Sequence, residues 1–300
     1  MLSEPREPSV SAEPPLVEVR NLRVSFATPA GRVAAVQNVS FAIARGETLA
    51  LVGESGSGKS VTALSLLRLV QAPGCSITGR ILLRSRRWGD VDLGHLDEDS
   101  GLLYNVRGGV MSMIFQEPLS ALSPVHTIGA QIDEAIRLHQ DVSAAAARRR
   151  TLEMLAKVGM THAADRYRQY PHELSGGLRQ RAVIAMALVC RPEVLIADEP
   201  TTALDMTVQA QILGLIRSLQ REIGCAVLLI THDFGVVAQM ADRVAVMHGG
   251  EIIEHGDVRS ILRHPRQAHT RALLAAVPGR SRRRHGGTLG SGSTPAVAAP

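Results

Sequence analysis

Gly53, Glu54, Ser55, Gly56, Ser57, Gly58, Lys59 and Ser60 stand between an apolar run at 48–52 and a segment of helical spacing at 60–70. Of all the features in this chain, a strand entering a glycine loop that opens a helix constrains the fold most. Glycine backbone lets successive N–H groups converge on a single anion. The helix N-terminus adds partial positive charge and Lys59 adds a full one, which suits the β- and γ-phosphates of a nucleotide. The Ser60 hydroxyl is an oxygen ligand for Mg²⁺.

A second segment supplies what such a loop lacks. Val194, Leu195, Ile196 and Ala197 form an apolar strand that ends in two carboxylates, Asp198 and Glu199. The apolar residues hold the strand in a sheet core, so Asp198 emerges at its C-terminal edge, beside the loop, to orient Mg²⁺ and its waters. Glu199, one residue farther, is suited to polarise the water that attacks the γ-phosphorus.

The remainder arranges itself around these two segments. Alternating apolar residues at 16–26, repeated at Val39, Phe41 and Ile43, predict half-buried antiparallel strands. The stretch 79–109 is polar and turn-rich and reads as a loop with short strands, its role open. Ala, Leu, Arg and Ile dominate 119–188, with helical spacing at 128–138 and 144–158. Buried strands return at 194–197 and 226–230, flanking a helix at 208–222. The expected fold is α/β: a phosphate-loop NTPase core with an antiparallel β subdomain and an inserted helical subdomain.

Composition narrows the function. With 45% hydrophobic residues in 300, one large domain can bury its core. The apolar runs at 182–189 and 226–230 fall short of the roughly 20 residues that span a bilayer. Residues 1–15, rich in Pro, Glu and Ser, read as a disordered leader, and 279–300 as a disordered, basic, low-complexity tail, so a cytoplasmic location is expected. Much of the net charge of +5 lies in that tail, at Arg280, Arg282, Arg283 and Arg284, and aromatics are only 3%, so nucleic acid is not an expected partner. Cys75, Cys190 and Cys225 have neither metal-ligand spacing nor the pairing of a disulfide framework.

The segment 174–181, Leu-Ser-Gly-Gly-Leu-Arg-Gln-Arg, resembles the signature of ABC ATPases. The resemblance covers residues 16 to about 277 and implies an ATPase domain at 16–278 with its helical subdomain at about 117–190. It further implies two ATPase domains facing head to tail, with Ser175, Gly176 and Gly177 of one capping the ATP held by the phosphate loop of the other. Gln116 matches the glutamine that senses Mg²⁺ and the attacking water, Asp205 the aspartate across the dimer interface, and His232 the switch histidine near the γ-phosphate. Phe26 matches an aromatic against adenine, while its alternating strand gives it an equally good core-packing role.

Segments 113–118, 170–174 and 264–278 are similar to ATPases of oligopeptide/dipeptide importers. That resemblance implies a peripheral subunit on the cytoplasmic face of the inner membrane, which hydrolyses ATP to drive import of peptides or a related small solute. Its partners would be two transmembrane permeases, a second ATPase subunit and, indirectly, an extracytoplasmic solute-binding protein. The pattern breaks at Ala268 and His269, where those proteins show Pro-Tyr, and no cysteine follows Cys225, so no iron–sulfur cluster is expected. Peptide, sugar and glutathione are not separated by these residues, nor is an identical from a related partner ATPase. A soluble ABC ATPase acting on ribosomes or DNA would bring a second ATPase domain, zinc sites or long coiled coils. A phosphate-loop kinase would leave the signature and His232 unexplained.

Overall fold

The computed structural model describes residues 13–276 apart from residues 71, 98 and 203. Most of the expected leader and all of the expected tail lie outside the described residues. The strands are β1 (Val17–Thr28), β2 (Gly31–Ile43), β3 (Thr48–Val52), β4 (Ser76–Ser85), β5 (Gly89–Asp92), β6 (Met111–Ile114), β7 (Val194–Asp198), β8 (Ala226–Thr231), β9 (Arg243–His248) and β10 (Glu251–Asp257). The helices are α1 (Lys59–Leu66), α2 (Gly101–Val106), α3 (Pro118–Ala121), α4 (Ile128–His139), α5 (Ala144–Lys157), α6 (Ala163–Arg168), α7 (Gly176–Leu188), α8 (Met206–Ile223), α9 (Phe234–Met240), α10 (Val258–Arg263) and α11 (Ala268–Ala275).

They build two sheets among the described residues. An antiparallel sheet runs β2-β1-β4-β5, and a six-stranded sheet runs β10-β9-β3-β8-β7-β6, parallel except for β10. Every residue of β3, β7 and β8 is buried, as expected of parallel strands covered on both faces. Alternation along these strands divides the core. Leu195, Ala197, Val227 and Leu229 pack with α4, α5, α7 and α8. Val194, Ile196, Leu228 and Ile230 pack with α1 and the antiparallel sheet.

Two expectations are corrected. The stretch 79–109 holds short strands as expected but is more ordered than a loop otherwise: it completes β4, turns into β5 and carries α2, with Leu83, Val91, Leu93, Leu103 and Val106 buried among its polar residues. The helix after the glycine loop ends at Leu66 rather than near residue 70. There Arg68 takes a left-handed φ of 53°, and Arg107 caps the exposed carbonyls, its Nε donating to Leu67 O at 2.8 Å and its Nη2 to Arg68 O at 2.7 Å.

The sheets are latched together at Glu193, just before β7. Its carboxylate accepts from Arg45 Nη1 at 2.9 Å, Ser85 Oγ at 2.6 Å and Arg86 N at 3.0 Å. Among the described residues no helix is long and apolar enough to cross a membrane.

Candidate functional site

The loop from Gly53 to Gly58 leaves the C-terminal end of β3 and enters α1 at Lys59. Its shape depends on two glycines in particular. Gly58 has φ +100°, and a Cβ there would stand 2.5 Å from Ala35 O of β2; a Cβ on Gly53 would collide with Met247 O of β9. The turn after β9 closes the far side: Gly250 N donates to Ser57 O at 3.1 Å, and Gln37 N donates to Gly250 O at 2.7 Å.

Inside this frame the Lys59 ammonium is buried and donates to Gly53 O at 2.9 Å and Glu54 O at 2.7 Å. Burial lowers its pKa, and the negative charges of Glu199, Asp198 and Glu54 oppose that shift. Ser60 Oγ donates to Asp198 Oδ1 at 3.2 Å, joining the start of α1 to the end of β7. Asp198 is buried, and burial raises its pKa, with a further push from Glu199, against the hydrogen bond of Ser60 and the charge of Lys59. A hydroxyl and a carboxylate meeting in this way are an oxygen pair suited to a hard divalent cation.

Glu199 is the centre of a second cluster. Its backbone sits at φ 45°, an unfavourable left-handed conformation for a residue with a Cβ, and is held by its own N–H donating to Ile230 O at 2.9 Å. The side chain is gripped from three directions. Gln116 Nε2 donates to Oε2 at 3.1 Å, Thr202 Oγ1 donates to the same oxygen at 2.8 Å, and His232 Nδ1 lies 3.1 Å from Oε1. Burial alone would raise the Glu199 pKa; the bonds from Thr202 and His232 and the charges of His232 and Lys59 outweigh it and hold the carboxyl below its usual range. Glu199 is therefore an ionised base at neutral pH.

A cleft of about 650 Å³ opens here, walled by Glu54, Ser55, Gln116, Glu199, His232 and Leu273 among others. The structure thus brings together Lys59, Ser60, Gln116, Asp198, Glu199 and His232 as the sequence suggested. It adds Thr202, whose only advance signal was its place three residues after Glu199. The signature residues stand elsewhere: Ser175 and Gly176 are exposed at the N-terminus of α7 and are not among the walls of this cleft. Asp205 is also exposed, and its carboxylate caps α8, accepting from Thr207 N at 3.0 Å and Val208 N at 2.9 Å. Phe26 is half-buried and packs on the core shared by the two sheets.

Comparison with known proteins agrees with this geometry. The ABC transporter family model matches residues 36–202. The glutathione import ATP-binding proteins GsiA of Escherichia coli K12 and of Shigella flexneri are 53% identical over 264 residues, which is 88% of this chain and 42% of each of theirs. The chain therefore spans less than half the length of these curated relatives. Among solved structures, the ATP-binding cassette MJ0796, in a dimeric post-hydrolysis state bound to ADP and Pi, superposes with a TM-score of 0.70 at 27% identity, covering 81% of this chain and 99% of its own. The protein cbiO1 of Clostridium perfringens, part of the ABC transporter complex cbiONQ, gives a TM-score of 0.66 at 26% identity, covering 85% of this chain and 97% of its own. With the phosphate loop and the Glu199 cluster both built, and the family model matching more than half of the sequence, the chain belongs to the ABC transporter family and has the fold of its ATPase cassettes.

Proposed function

We propose that this chain binds and hydrolyses ATP to drive an importer of peptides or a related small solute, from the cytoplasmic face of the inner membrane. The observation that carries the reading is the convergence of Gln116, Thr202 and His232 on the Glu199 carboxylate, in one cleft with the phosphate loop. In this reading Gly53 to Gly58 cradle the phosphates with backbone N–H groups, and Lys59 supplies the full positive charge. Ser60, Asp198 and Gln116 would hold Mg²⁺, which supplies charge neutralisation on the phosphates when bound. Glu199 accepts a hydrogen bond from the attacking water and orients it. His232 keeps that carboxylate ionised and in place.

Ser175 and Gly176 are exposed and Gly177 is half-buried beside them at the start of α7, where residues that cap the ATP of a facing protomer need to be reachable. Asp205 and its exposed neighbour Met206 would sit at that same junction, and the dimeric state of MJ0796 supports it. Phe26 is available to the adenine ring from its half-buried position. The permease contact is assigned to the exposed short helix after Gln116, where Leu119 is 56% exposed and Val125 farther along is 73% exposed.

The 53% identity to glutathione import ATP-binding proteins makes glutathione, a short peptide, the first solute to test. The test is uptake of glutathione and of dipeptides into vesicles containing this chain with its permeases, measured alongside phosphate release. ATP hydrolysis by the assembled complex that is unaffected by Glu199→Gln would overturn the catalytic reading. Hydrolysis without uptake of either solute class would overturn the transport reading.

A further inference from the structure

One cluster of metal-ligating side chains stands at the edge of the phosphate loop, shares only Glu54 with the nucleotide cleft, and joins three remote segments. Glu54 of the phosphate loop, His248 at the end of β9 and His269 at the start of α11 bring one carboxylate oxygen and two imidazole nitrogens within 4.8 Å of one another. The two rings lie with centroids 3.9 Å apart at an interplanar angle of 39°. His269 Nε2 is buried without a hydrogen-bond partner, which for an imidazole nitrogen is a cost unless something else satisfies it. Glu54 and His248 are exposed, so the cluster is open to ions from solvent.

The backbone holding these ligands is already fixed. Gly250 N binds Ser57 O, which ties the turn after His248 to the phosphate loop. The Glu254 carboxylate of β10 accepts from Arg266 N at 2.6 Å and Gln267 N at 3.2 Å and so sets the entry to α11. With the three segments anchored, the ligand atoms need only side-chain rotation to close on an ion at bond lengths of about 2.0–2.2 Å.

We propose that Glu54, His248 and His269 form a binding site for a divalent transition metal, of which Zn²⁺ is the natural occupant by ligand chemistry. Two imidazoles and one carboxylate are a zinc ligand set that leaves a fourth position for water. Mg²⁺ prefers oxygen ligands alone and does not compete for it. The ion ties α11 to the phosphate loop. Since Leu273 of α11 and Ala276 just past its end line the nucleotide cleft, bound metal pins one wall of that cleft.

The test uses the full chain without nucleotide, so that its outcome is independent of whether ATP hydrolysis is assigned correctly. Zn²⁺ is titrated by calorimetry in the presence of excess Mg²⁺, and Co²⁺ is titrated as a spectroscopic probe. The expected result is one site per chain, a tetrahedral or five-coordinate Co²⁺ spectrum with no thiolate charge-transfer band, and affinity at least about tenfold weaker in His248→Ala and in His269→Ala. Hydrogen exchange reports the clamp: Zn²⁺ slows exchange in α11 of the wild type and leaves it unchanged in His248→Ala. Zinc binding of equal affinity in both histidine variants, a thiolate band pointing to the cysteines, or the absence of saturable binding would each overturn the proposal. The Co²⁺ spectrum of the wild type decides the matter even where a variant folds poorly.

Discussion

Gln116 Nε2 donates to Glu199 Oε2 at 3.1 Å, a contact between residues 83 positions apart in the chain. It spans from the end of β6 to the end of β7, and Gln116 stands at the threshold of the helical insertion that begins with α3. The contact ties the entry to the helical insertion to the Glu199 carboxylate, so in the proposed transport reading a shift of that insertion would reach the carboxylate through one hydrogen bond.

Replacing Glu199 by Gln keeps the hydrogen-bonding shape and removes the charge that orients water. Hydrolysis is expected to fall by about 10²–10⁴-fold with ATP binding retained. ATP should then persist between two protomers, giving an ATP-dependent dimer visible by size-exclusion chromatography or by cross-linking in the assembled complex. Adding Ser175→Arg should abolish that dimer through bulk and like charge near the Lys59 of the facing protomer. A Glu199→Gln protein that binds ATP yet never closes in either setting would sink the sandwich arrangement.

Lys59→Ala removes the buried ammonium that now donates to Gly53 O and Glu54 O. Fluorescence titration with a nucleotide analogue should show loss of most ATP affinity, while circular dichroism remains that of a folded chain. Near-native affinity would mean that the nucleotide sits elsewhere.

Substitutions at Glu117, Leu119 and Ala121 are expected to lower transport while leaving basal hydrolysis largely intact. Reconstituted vesicles measure both rates in one sample. A strictly proportional fall of the two would remove the coupling role from this segment.

The Glu193 latch carries a pH signature. Burial raises the Glu193 pKa, but Ser85, the Arg86 N–H and Arg45 outweigh it and hold the carboxyl below the ordinary glutamate value of 4.5. A depressed folded-state pKa contributes stability above about pH 4.5 and loses it as pH falls through the folded-state value. Glu193→Gln should therefore cost about 1–3 kcal/mol at pH 7, and its melting temperature should converge with that of the wild type as the pH falls through the depressed folded-state pKa. A gap that stays constant over that range would show that the latch acts through packing rather than charge.

What could be read from the residues in advance was whatever short-range pattern encodes. The glycine loop, the apolar strand ending at Asp198 and Glu199, and the alternation of β1 and β2 each write their structure within a dozen positions. By contrast, β9, β10 and the three helices from α9 onward carry no comparable local signal, since their placement follows from pairing β9 with β3 across about two thirds of the chain. The polar stretch that became β4, β5 and α2 misled because its buried residues are spaced among aspartates and arginines. Thr202 and the capping role of Asp205 were missed for another reason: a hydroxyl three residues from a carboxylate acquires meaning only once the turn between them is known. Likewise, Glu54, His248 and His269 have no sequence spacing that would unite them.

The backbone contacts around Ala35, Met247 and Gly250 also decide whether the phosphate loop is portable. A peptide covering residues 48–66 would carry every glycine of the loop together with Lys59 and Ser60. It would leave behind β2, β9 and the turn at Gly250, the three walls against which Gly53 and Gly58 are pressed and to which Ser57 is bonded. Grafted onto another strand and helix, the same eight letters would be a flexible hinge rather than an anion cradle, because the mould that sets them is cast by β2 just upstream and by a strand and turn nearly 200 residues downstream.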